Sequence, residues 1–188
     1  MVLPRMAHQR GKFPTNYRKE TTDGTDIVKT LILYPDALNV IWGGPSSNNR
    51  YWKRTPITGS TGSQTEALEL VGVYWLEVSG RLPLKELTKG KKYKLYFVIQ
   101  MSQNSSGWEN YDVWFNIRIA GQRSQRKSMR FHRLSRNNDW HNVPSDGLEF
   151  TVPQDGDTAL TFAMYDIECE ELKKGLLIKE VRIEEVGQ

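Results

Sequence analysis

One cysteine, Cys169, stands in 188 residues, which excludes an intrachain disulfide and fits a reducing compartment. No apolar run approaches the roughly 20 residues that cross a bilayer. The segment Met1-Val2-Leu3-Pro4-Arg5-Met6-Ala7-His8 lacks a hydrophobic signal core. The expectation is therefore a soluble chain, neither exported nor inserted in a membrane, and the sequon at Asn104-Ser105-Ser106 reads as chance. Histidine is scarce as well. His132 and His141 lie nine residues apart with no Cys-x-x-Cys near them, so the convergent ligands that zinc needs are missing and no cofactor is expected.

The motifs of enzymes are equally thin. There is no Gly-x-Ser-x-Gly turn for a nucleophile and no Gly-Lys-Ser/Thr to cradle phosphate. Cys169 is flanked by Glu168 and Glu170, neighbours that disfavour a thiolate nucleophile. Asp166, Glu168, Glu170 and Glu171 crowd together in sequence. Glycoside hydrolysis needs two carboxyl groups facing each other across a bond, and adjacency along a chain reads instead as a solvated turn. The expected protein is not an enzyme. Its net charge of +4 aids solubility without requiring a nucleic-acid partner.

What is present is alternation. Tyr93, Leu95, Phe97, Ile99 and Met101 share one face, as do Tyr111, Val113, Phe115, Ile117 and Ile119, and again Leu160, Phe162 and Met164. A period of two marks half-buried antiparallel strands. Further strands are expected within Leu68–Leu82, at Ser128–Leu134, at Leu148–Val152 and at Leu176–Val186, with a helical turn at Glu66–Leu70. Turn-rich connectors fall at Thr58–Ser63, Lys89–Lys91, Gln103–Gly107, Arg136–Asp139 and Gln154–Asp157. About eight short strands with regular punctuation predict an all-β, two-sheet sandwich. Residues 1–30 are polar, basic and aperiodic and read as a flexible tail; the folded domain is expected over 31–188.

The candidate site is the stretch from Leu38 to Lys53. Asn39-Val40-Ile41-Trp42 reads as a short strand, residues 43–49 as a polar loop, and Arg50-Tyr51-Trp52-Lys53 as its aromatic, cationic far side. Rings gathered about such a loop can form a shallow platform for the C–H face of a pyranose, with polar neighbours bonding the hydroxyls. Two buried core indoles fit the same pattern. Trp108 and Trp140, each in a polar loop, could extend a platform; Trp75 reads as core, and Trp114 as exposed if alternation is strict. The basic run Arg118, Arg123, Arg126, Lys127, Arg130, Arg133, Arg136 could be a nucleic-acid stripe or a solvated hairpin face. It holds one aromatic, Phe131, where readers of single strands need several, so nucleic acid is not favoured.

Taken in order, these blocks resemble the phloem protein 2 domain, the module of the Nictaba-type plant lectins. The blocks are Leu38-Asn39-Val40-Ile41-Trp42-Gly43 with Arg50-Tyr51-Trp52, Val73 through Gly80, Tyr93 through Met101, and Gly107-Trp108-Glu109. Trp140 with Glu149-Phe150, Phe162-Ala163-Met164-Tyr165-Asp166 and Lys173 through Lys179 complete the set. The resemblance implies a jelly-roll-like antiparallel β-sandwich. It also implies a nucleocytoplasmic plant lectin that binds N-acetylglucosamine oligomers (chitin fragments) and N-glycan cores as a homodimer, with phloem sap as a further location. It assigns sugar stacking to Trp42 and Trp52 and an acidic acceptor to Asp166; the residues themselves add Asn48, Asn49 and Arg50 as groups to bond hydroxyls or an acetamido carbonyl, Tyr51 as a neighbouring ring, and Trp108 and Trp140 as wall candidates. A looser form of the family's nuclear-import segment stands at Arg123-Ser124-Gln125-Arg126-Lys127. A protein-interaction module on the same sandwich and an RNA-binding phloem protein are the alternatives.

Overall fold

A computed structural model of the protein describes residues 14, 16–43, 48–58, 64–154, 158–168 and 170–187. The alternating runs fold as strands with one dry face each. In β7 (Lys92–Ser106) the side chains of Tyr93, Leu95, Phe97, Ile99 and Met101 are buried; β8 (Val113–Ile119) and β11 (Ala159–Asp166) bury alternate residues in the same way. Tyr111 falls just before β8 and stays exposed. The remaining strands are β1 (Tyr17–Thr21), β2 (Val28–Leu33), β3 (Asn39–Val40), β4 (Trp52–Thr58), β5 (Gln64–Leu70), β6 (Leu76–Pro83), β9 (Gln125–Met129), β10 (His141–Thr151) and β12 (Lys174–Glu185).

They form the expected antiparallel sandwich. One sheet runs β3-β6-β11-β8-β9. The other is built on β12, which pairs with β7 along its length, with β2 through Val181–Glu184 and with β5 through Leu177–Ile178. β1 extends β2, β4 extends β5, and β10 extends β7.

The two dry faces meet in a ladder of rings. Phe97 of one sheet lies 6.0 Å from Phe115 and 5.9 Å from Phe162 of the other, centroid to centroid. Phe131 continues the ladder, 6.2 Å from Phe115 and 5.3 Å from Trp108. Phe162 sits directly across from Gly80 in the β6–β11 register, and a Cβ there would lie 2.2 Å from Cζ at the tip of its ring. Gly80→Ala is expected to overpack the interior and cost about 1–3 kcal/mol, read as a lowered urea midpoint at unchanged slope.

Several boundaries differ from the sequence expectation. The folded part begins well before Leu31: β1 is already paired at Tyr17, because Tyr17 Oη donates to Glu86 Oε2 at 2.9 Å and Lys19 Nζ meets the same oxygen at 2.5 Å. Residues 1–13 of the expected tail lie outside the described residues. Glu66–Leu70 is strand, not helical turn, since pairing with β4 fixes it. β7 runs through the expected connector at Gln103 as far as Ser106. The expected strand Ser128–Leu134 ends at Met129 and turns through a 3-10 segment, Phe131–Arg133, that drops Phe131 into the core.

The Glu86 anchor predicts a pH dependence. The hydrogen bond from Lys19, aided by that from Tyr17, holds the Glu86 carboxyl below its ordinary value despite partial burial. A depressed folded pKa gives stability that is present above the unfolded value and lost as pH falls through the folded one. Amides of β1 are therefore expected to lose hydrogen-exchange protection on acidification before those of β12, and Glu86→Gln should remove that pH dependence.

Candidate functional site

Asn39-Val40 pairs only briefly with β6 before the chain turns. The turn is closed by Gly43 N–H donating to Val40 carbonyl at 3.0 Å, and Ile41 N–H donates to Glu77 carbonyl at 3.1 Å. Its third residue is Trp42, at φ +65°. Left-handed backbone costs a residue with a Cβ about 1–2 kcal/mol, and strain of that kind concentrates where a side chain must be displayed. Trp42 is displayed: 54% of it is exposed, an unusual state for an indole.

The second tryptophan goes the other way. Trp52 opens β4 opposite Leu70, only 3% exposed, with its Nε1–H donated to Ile41 carbonyl at 3.1 Å. The expected pair of water-facing indoles is thus corrected. The alternation that puts Trp52 inside leaves Tyr51 outside, and Tyr51 is the ring beside Trp42, at 5.6 Å and 47°.

Trp42, Arg50 and Tyr51 form one wall of an open cleft of about 510 Å³; Val71 to Trp75, Leu172 and Lys174 form the rest. Tyr74 is 60% exposed, and the Trp75 Nε1–H is donated to Glu77 at 3.4 Å. Arg50 lies 5.4 Å from the Tyr51 ring centroid. Four rings and two cations line the cleft, and no carboxylate does among the described residues.

The Tyr74 wall is held from below. Val73 and Lys173 exchange backbone hydrogen bonds at 3.1 and 2.8 Å. The Lys173 side chain is fully buried, donating from Nζ to Tyr74 carbonyl at 2.8 Å and meeting Asp166 Oδ2 at 3.3 Å. A buried ammonium needs such a counter-charge and acceptor to be tolerated.

Residues 28–185 match the family model described as phloem protein 2. The chain belongs to the phloem protein 2 family. Among relatives of this phloem protein 2 chain is Protein PHLOEM PROTEIN 2-LIKE A9 of Arabidopsis thaliana, 32% identical over 84% of this chain and 88% of that one. A lectin of Luffa acutangula is 25% identical over 82% of this chain and 69% of its own length. Among solved structures, the CBM22-1 xylan-binding domain of Paenibacillus barcinonensis Xyn10C superposes with TM-score 0.45 at 12% identity, covering 82% of this chain and 89% of that one.

In this phloem protein 2 domain the other expected site residues scatter. Asp166 is 3% exposed and ion-paired with Lys173, so it faces the interior and not a sugar. Trp108 is 1% exposed and donates Nε1–H to Lys174 carbonyl at 2.9 Å, which makes it core. Asn48 and Asn49, both at positive φ, line a separate polar cleft of about 400 Å³ together with Asp36, Lys53 and Arg54. Trp140 is half-buried beneath Lys179, 5.8 Å from its ring, and lines neither cleft. Cys169 and residues 44–47 lie outside the described residues.

Sequence reasoning missed Tyr74 and placed Trp75 in the core. Strict alternation back from Leu76 would bury Tyr74. It fails because β6 begins only at Leu76, and residues 74–75 form a bend beyond an isolated bridge. Two adjacent aromatics just ahead of a strand, Tyr74-Trp75, were the available signal, the same pattern as Tyr51-Trp52.

Proposed function

We propose that the cleft between Trp42 and Tyr74 is a saccharide-binding site, and that this family member acts as a lectin on N-acetylglucosamine oligomers and N-glycan cores. The observation that carries the reading is the strained, half-exposed Trp42 beside Tyr51, opening on a cleft with further rings. Trp42 would lie against the C–H face of a pyranose, and Tyr51, Tyr74 and Trp75 would flank the neighbouring units. Arg50 and Lys174 would donate to ring hydroxyls or to the acetamido carbonyl.

The similarity to a lectin of Luffa acutangula supports the same reading. Binding without hydrolysis fits a cleft whose described lining has no carboxylate pair. An open site of this type binds weakly per sugar, and a nucleocytoplasmic homodimer presenting two clefts would gain avidity on a branched glycan. Calorimetric titration with chitotriose tests the reading: saturable heat is expected, and its absence at high protein concentration would overturn it.

A further inference from the structure

The outer face of the five-stranded sheet carries a second set of groups that the cleft does not use. The alternation that buries Val113, Phe115 and Ile117 turns Trp114, Asn116 and Arg118 outward from β8. Arg126 of β9 stands opposite Asn116, and Tyr165 of β11 stands opposite Trp114. The Arg126 guanidinium lies 3.7 Å from the Trp114 ring centroid and 5.7 Å from that of Tyr165. A guanidinium laid flat on an indole is fixed in place while its N–H edges stay open to a bidentate oxyanion.

Five arginines are engaged in ion pairs elsewhere on the surface, which leaves their charge compensated. Arg18, Arg54, Arg130, Arg136 and Arg182 each meet a carboxylate. Arg118 and Arg126, both exposed, form no ion pair with a carboxylate among the described residues. Two residues along a strand and one strand across put their Cα atoms about 8 Å apart. Between Tyr165 and Thr161 on β11 lies the small, buried Ala163, so the face is stepped rather than filled.

From this charge and shape we infer that the outer face of the five-stranded sheet is a second saccharide site, selective for acidic sugars. The carboxylates of a uronate chain pair with Arg126 and Arg118, and a pyranose lies against Tyr165. A single-stranded nucleic acid would also bring anions, but it needs several open rings, and here Arg126 already covers Trp114.

Titration of the full chain with oligogalacturonate, with its neutral methyl ester and with poly-U RNA tests the inference, with the Trp114 indole N–H resonance as a local probe. The acid form is expected to bind saturably, to shift Trp114 and to weaken as salt rises. The ester, and the acid form with Arg126→Glu or Arg118→Glu, should bind about tenfold more weakly. Both arginines are exposed, so Arg118→Glu should keep the wild-type urea midpoint, and Arg126→Glu, which also gives up the contact with Trp114, should lower it only slightly. Chitotriose binding should be unchanged in them, and uronate binding unchanged in Trp42→Ala, which separates the fate of this site from that of the cleft. Equal binding of acid and ester, indifference to both charge reversals, tighter Arg126-dependent binding of RNA, or no binding at all would each overturn it.

Discussion

Trp42→Ala is expected to weaken chitotriose binding by about 2 kcal/mol, roughly thirtyfold in Kd, the scale of losing an aromatic anchor at the centre of a contact. The ring is already half in water, so its removal should leave the urea midpoint near wild type. Trp42→Gly sharpens the test. At φ +65° glycine relieves a strain of about 1 kcal/mol, so this variant should be at least as stable as Trp42→Ala while binding no better. A parallel loss of stability and binding would mean that Trp42 is a structural residue. Trp52→Phe should show the opposite pattern: the hydrogen bond to Ile41 carbonyl is lost at a cost of about 1 kcal/mol or more, and sugar binding follows only as far as the turn loosens.

Asp166→Ala is expected to destabilise the fold by about 3–5 kcal/mol, because it leaves the Lys173 ammonium buried without its counter-charge. An exposed acceptor for sugar hydroxyls would instead lower affinity and leave the denaturation curve in place, so urea unfolding separates the two roles cleanly. The double substitution Asp166→Ala with Lys173→Met should recover part of the loss, since no charge is then buried. Affinity for chitotriose should nonetheless fall in the double variant, as the Lys173 hydrogen bond that holds Tyr74 carbonyl is gone.

How much of this was legible in the sequence depends on the reach of each signal. Period-two runs such as Tyr93–Met101 and Leu160–Met164 gave strands and their inward faces, because burial against a second sheet fixes parity along a whole strand. Parity failed where pairing is short. At Tyr74-Trp75 the strand has not yet begun, and at Trp52 the preceding loop hides which side the first strand residue will take. The run Asp166 to Glu171 looked like a solvated acidic turn, yet Asp166 closes β11 on the inner face and meets Lys173, a partner that adjacency in sequence does not reveal. The early attachment of residues 17–21 was invisible for a similar reason. Polar residues can form an edge strand when a distant carboxylate, here Glu86, holds Tyr17 and Lys19.

The six tryptophans offer the most direct measurement, since each carries one indole N–H that NMR resolves. Chitotriose should shift the resonances of Trp42 and Trp75 and leave those of Trp52 and Trp108, whose protons are held by Ile41 and Lys174 carbonyls, where they are. Shifts at Trp52 and Trp108 with Trp42 unmoved would contradict the aromatic cleft as the sugar site.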